Sequence, residues 1–177
     1  DEKAVAALAE KSVKITKNAD GRVTMLDFRQ TETGDAELAH VKGLPSCQRL
    51  ILFGPSFTDE GLTHLVGHPS FSVLDAASAS IGDDGLKTLS EIPNMRAIGL
   101  RRTDVSDAGV EHLTKLKNLV DIDLRFTNIG HEGAVHLAKI KSLRAVKLQE
   151  SKITDESVAL LANCLLYTSP SPRDDCP

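Results

Sequence analysis

Four of the six histidines stand at multiples of one spacing: His40, His64, His112 and His136 are separated by 24, 48 and 24 residues. A neutral imidazole nitrogen is a good zinc ligand, so such a column is raw material for a metal site. The spacing argues against that use. Helices repeated along a chain pack about 10 Å apart, whereas zinc needs every ligand about 2 Å from one ion. The expectation is a solvated row and no metal. Two carboxylate pairs, Asp83 with Asp84 and Asp121 with Asp123, could divide general acid and base roles. Asp83 falls in the first turn of an expected helix, however, and Asp123 has basic neighbours in its own strand, so capping and ion pairing are the simpler uses. The sequence has no Ser, His and Asp set, Gly-rich phosphate loop or HExxH stretch. Cys47, Cys164 and Cys176 form no CxxC pair and no even disulfide framework. The chain is expected to be no enzyme, with no catalytic residue, no cofactor and no metal.

The elements that carry these residues follow from composition and period. At 177 residues, 41% hydrophobic and 26% charged, the chain suits one globular domain. Its formal charge of -4, with no basic run, argues against a nucleic-acid partner. Aromatic residues are 3% with no Trp, which leaves little material for base-stacking or sugar-binding shelves. No apolar stretch is long enough for a membrane span or a signal segment.

Written in blocks of 24 from Val23, the chain repeats six times without insertion. Block position 4 holds Leu26, Leu50, Leu74, Ile98, Ile122 and Val146, and position 6 holds Phe28, Leu52, Ala76, Leu100, Leu124 and Leu148. That alternation predicts a short strand. Apolar residues then recur every three positions, at 16, 19 and 22, as on one helix face. Position 12 carries Gly, Ser or Thr, and position 13 is Asp in every block except for His131. These read as an N-cap and a carboxylate at the positive helix end. Each block is therefore strand, turn, helix and return. Such a unit buries its apolar side only by stacking on its neighbours.

The phrase L-x-x-L-x-L-x-x-T-x-I-x-D-x-G-L-x-x-L-x-x-L, as in "TDVSDAGVEHLTKLKN", resembles the leucine-rich repeat family over residues 23–163. It is most similar to the 24-residue, helix-containing, ribonuclease-inhibitor-like form abundant in large bacterial multi-repeat proteins. The resemblance implies an α/β solenoid, a right-handed horseshoe arc with parallel strands concave and helices convex. Residues 1–22 read as an N-terminal cap, a helix followed by a strand at Val13 and Ile15 before the turn "NADG".

The register breaks at Cys164. Residues 164–177 match no repeat position, and "CLLYTSPSPRD" resembles the translation of a transposase-based sequencing adapter. The expectation is a non-native, disordered tail on a truncated solenoid that is monomeric when complete.

The remaining face of the strands is where a partner would dock. Positions 3, 5 and 7 alternate with the core positions and mix acids, bases and small residues. Asp27 can meet Arg29 there, and Asp123 can meet Arg125, because residues i and i+2 share a face. Ile51 and Phe53, with Arg101 and Arg125, flank a low patch of Ala77, Ala97 and Gly99. Exposed aromatic and Arg anchors around a depression are the make-up of a binding hot spot. Phe126 at the adjoining turn extends it. The expected partner-binding set is thus Ile51, Phe53, Arg101, Arg125 and Phe126, and the expected partner another protein or peptide. The family resemblance likewise implies a binding scaffold. The alternative is an accessory or structural segment of a larger enzyme or surface protein.

Overall fold

A computed structural model describes residues 2–166, with side chains to residue 162. The expected tail lies outside the described residues beyond 166. Helix α7 (Asp155–Leu166) runs through Cys164 to the last described residue.

Seven strands form one sheet in chain order: β1 (Lys14–Lys17), β2 (Val23–Asp27), β3 (Arg49–Phe53), β4 (Val73–Ala77), β5 (Ala97–Gly99), β6 (Asp121–Asp123) and β7 (Ala145–Lys147). β1 pairs antiparallel with β2, and every later pair is parallel. Leu26, Leu50, Leu74, Ile98, Ile122 and Val146 are successive partners across the ladder, so the sheet keeps the 24-residue register. The helices between parallel strands are α2 (Asp35–Leu38), α3 (Asp59–Leu62), α4 (Asp83–Leu89), α5 (Asp107–Leu113) and α6 (His131–Ala138). α2 and α3 tighten into 3-10 turns at Ala39–Gly43 and Thr63–Leu65. Strands lie about 4.8 Å apart and helices about 10 Å apart, so the strand side is the inner side of the resulting curve.

One continuous core fills the space between the layers. The residues opening each block, Cys47, Phe71, Met95, Leu119 and Leu143, are buried as fully as the strand and helix positions. Helix α1 (Glu2–Glu10) contributes Ala4 and Leu8 to that core, and β1 covers the edge of β2. Val158 departs from its column: it is 51% exposed, where Val110 and Ala134 are buried. Each of those two lies beneath the helix of the next repeat, and no such helix follows α7 among the described residues. His68 takes a helix-face position otherwise held by Leu or Ile and is buried. Its Nε2–H donates to the Leu44 carbonyl at 3.1 Å, and Nδ1 accepts from the Phe71 N–H at 3.0 Å. Three backbone groups, one in each of three successive repeats, are satisfied by one ring, because the Ser70 N–H also donates to Nδ1.

The helix starts work differently from the sequence expectation. Thr58 and Thr154 accept a helix N–H on their hydroxyls. Glycine at positions 34, 82 and 130 has no side chain to do so, and the Ser106 hydroxyl turns away. The first start is closed within its own helix, where the Gly34 N–H donates to the Glu37 carboxylate, and the four starts at 58, 82, 106 and 130 are held by the Asp of the preceding repeat. The Asp35 carboxylate accepts from the Thr58 N–H at 2.8 Å and its hydroxyl at 2.6 Å, and Asp83 does the same for Ser106. Asp59 accepts from the Gly82 N–H and Asp107 from the Gly130 N–H. The Gly two residues into α3, α4, α5 and α6 makes room for this clasp. A Cβ on Gly61, Gly85, Gly109 or Gly133 would come within 3.0 Å of that same preceding Asp. Where the Asp becomes His131, the glycine becomes Ser157, and His131 Nδ1 meets the Ser157 hydroxyl at 3.1 Å.

Candidate functional site on the strand face

The strands end in a turn that decides where side chains point. Gly54, Ser78, Arg102, Phe126 and Glu150 occupy one column, block position 8, and all have φ between 55° and 96°. Left-handed backbone costs a non-Gly residue roughly 1–2 kcal/mol, and only the second repeat uses glycine there. The carbonyl two residues before each turn is recovered by the next side chain. Thr103, Thr127 and Ser151 donate their hydroxyls to Leu100, Leu124 and Leu148 at 2.5–2.7 Å. The turn projects Arg102 and Phe126 onto the rim of the strand face, where the Arg102 guanidinium lies 4.9 Å from the Phe126 ring centroid.

This brings Ile51, Phe53, Arg101, Arg125 and Phe126 to one hollow of about 340 Å³. Phe53 is 53% exposed and Phe126 46%, while Ile51 is half-buried. Arg29, Asp75, Ala77 and Arg102 also line it. Ala97 and Gly99 lie in an adjoining hollow with Asp121 and Lys147. Sequence reasoning missed Arg102, although its signal was present: Gly54 marks the column in which a side chain leaves the strand at positive φ.

Charge within the hollow is partly committed. Arg29 binds Asp27 through two side-chain hydrogen bonds of 2.7 and 3.0 Å, and Arg125 binds Asp123 through two of 2.7 and 2.9 Å. The Arg29 hydrogen bond holds the Asp27 carboxyl below the usual aspartate range against the cost of its burial. For Asp123, burial pushes upward, and the hydrogen bonds and charge of Arg125 outweigh it, leaving the carboxyl low. Lys147 takes Asp121 at 3.3 Å. The two aspartates that resembled an acid–base pair are therefore separate halves of ion pairs.

Arg101 is the exception. It sits 3.8 Å from both Asp75 and Asp123, beyond hydrogen-bond reach of either. Asp75 Oδ1 is buried with no hydrogen-bond partner among the described residues. The four histidines of the 24-residue column stand one to a repeat on the helical side. Among the described residues no three His, Cys, Asp or Glu side chains are grouped to hold a metal ion. No helix among them is long and apolar enough to cross a membrane.

Residues 115–138, one period in length, match the Leucine Rich repeat family model. An internalin from Listeria monocytogenes has a similar structure, with a TM-score of 0.63 at 18% identity over 78% of this chain. The chain spans 45% of that internalin's length. The leucine-rich repeat ectodomain of the receptor kinase SOBIR1 from Arabidopsis thaliana matches at a TM-score of 0.50 and 14% identity, over 86% of this chain and 94% of that one. No curated protein matches the sequence. The register of the sheet and these likenesses agree: the fold is an α/β leucine-rich repeat solenoid, and one of its periods matches the family model itself.

Proposed function

We propose that the chain is an interaction scaffold that holds another protein or peptide on its inner strand face, in the hollow bounded by Phe53, Phe126, Arg101 and Arg125. One observation carries the reading. Only three large apolar side chains are left exposed among the described residues, and two of them, Phe53 and Phe126, stand on this hollow. Exposing an aromatic ring forgoes burial worth about 1.5–3 kcal/mol. Two on one depression, beside Arg101 with no hydrogen bond to its acidic neighbours, form an apolar anchor site with a polar centre. Phe126 and Arg102 also hold strained backbone that glycine relieves in the second repeat, as side chains kept for contact would.

The reading is tested with a random-peptide display library selected against the whole chain. Selected peptides are expected to lose roughly tenfold or more in affinity to the Phe53→Ser, Phe126→Ser double variant, since anchor truncation costs about 2 kcal/mol or more per residue. The variant's thermal melt should stay close to that of the parent. Peptides that bind both proteins equally would place the interaction elsewhere.

A further inference from the structure

A second surface stands apart from the strand face, on the edge where helices return to strands. The three consecutive loops 90–96, 114–120 and 139–144 carry Arg96, Lys115, Lys117, Lys139, Lys141 and Arg144 against a single acid, Glu91. The whole chain has 21 basic and 25 acidic residues, so this edge reverses the sign of the molecule. All six side chains are exposed, and none is in an ion pair among the described residues. Part of the pattern has a local cause. Lys115 and Lys139 follow helix ends, where a cation meets the negative end of the dipole. Arg144 donates to the carbonyls of Lys141 and Leu143 and so ties its own loop. Arg96, Lys117 and Lys141 have neither use.

Arg96, Lys117 and Arg144 line a trough of about 840 Å³ that runs from Gln48 in the second repeat to Arg144 in the sixth. Its lining contains no carboxylate and no aromatic ring. Each absence from the lining narrows the ligand. With no aromatic ring there is no platform for stacked bases. With no large apolar anchor there is no hot spot for a folded protein. The amides of Asn94 and Asn118 are spent on the Pro69 and Pro93 carbonyls, which leaves their oxygens to accept hydroxyl hydrogens.

We infer that this loop edge binds a linear anionic polysaccharide, its sulfate or carboxylate groups on Arg96, Lys117 and Lys141 and its hydroxyls along the Asn row. The surface is independent of the strand-face hollow.

The test measures binding of a heparin-derived oligosaccharide to the full chain by calorimetry at about 0.05 M and 0.3 M salt, spanning strong to weak screening. Binding is expected at the lower salt. It should fall roughly tenfold or more in the Arg96→Ser, Lys117→Ser, Lys141→Ser triple variant, with the salt dependence flattened by about two to three charges. These side chains are exposed, so an unchanged melt shows that the variant folds. The Phe53→Ser, Phe126→Ser protein should bind the oligosaccharide as the parent does. Absence of binding at the lower salt, or an unaffected triple variant, overturns the inference. Equal or tighter binding of phosphatidylserine vesicles or duplex DNA also overturns it, because the trough would then be reading charge alone.

Discussion

At Phe126 the side chain and the backbone work against each other. Its φ of 58° is a conformation that glycine adopts freely, and its ring remains half-exposed beside Arg102. Neither feature favours folding, whereas both place an aromatic surface at the rim of the hollow. The aspartates below it are the reverse case, since their pairing with arginine favours folding and fixes the face. Asp27 and Asp123 are both held below the ordinary carboxyl value, 3.8. A depressed carboxyl contributes stability that is complete above its unfolded value and is lost as pH falls through the folded one. The urea midpoint should therefore be insensitive to these two groups above about pH 5 and should fall below about pH 4. In an Asp27→Asn, Asp123→Asn protein the acid slope should be shallower. An unchanged slope between pH 5 and 3 would mean that other carboxyls carry the acid sensitivity.

At the scale of elements, the unit of cohesion is the Asp of one repeat, the cap of the next and the glycine that admits the carboxylate. Gly109→Ala would drive a methyl against Asp83 and Leu86, an overpacking worth about 1–3 kcal/mol. The natural exchange at His131 and Ser157 supplies a sharper experiment. Asp107→His alone leaves the Gly130 N–H without its acceptor, and Gly133→Ser alone collides with Asp107. The double variant imports the His–Ser pair. Its destabilisation by urea melts should be smaller than the sum of the two single changes by about 1 kcal/mol, as expected for residues in contact. Strict additivity would show that the two positions do not act as a clasp. Little of this was readable from the chain alone. Strand and helix positions were legible because burial repeats with the same spacing in every block. Asp at a helix start already has a local explanation in the dipole, and its bond to the following repeat shows only when the repeats are stacked. Ile51, Phe53, Arg101 and Arg125 were found by strand phase and Phe126 by its place at the adjoining turn, whereas Arg102, one repeat earlier in that same turn column, lies where positive φ breaks the phase. The basic loop edge was missed for a related reason. No basic run exists along the sequence, and the fold assembles one at a period of 24 residues.

For the whole molecule, contacts between neighbours alone make cohesion one-dimensional. Helix packs on helix in chain order from α2 to α7, and strand on strand from β1 to β7. A weakened clasp is therefore a weakened joint, with consequences that depend on what lies on each side. On the N-terminal side α1 and β1 close the core and the edge of the sheet. The repeats on the other side hold three-residue strands β5, β6 and β7 and the exposed Val158. Gly109→Ala strains the joint between the third and fourth repeats, so amide hydrogen exchange should quicken most in β6, β7 and α6. Protection in β2 and β3 should change little, since their partners are untouched. The direction follows from the stacking: a segment bounded by a strained joint opens before one bounded by a closed cap. Uniform loss of protection from β2 to β7 would instead mean that the solenoid unfolds as one cooperative body and that no single clasp sets its weak point.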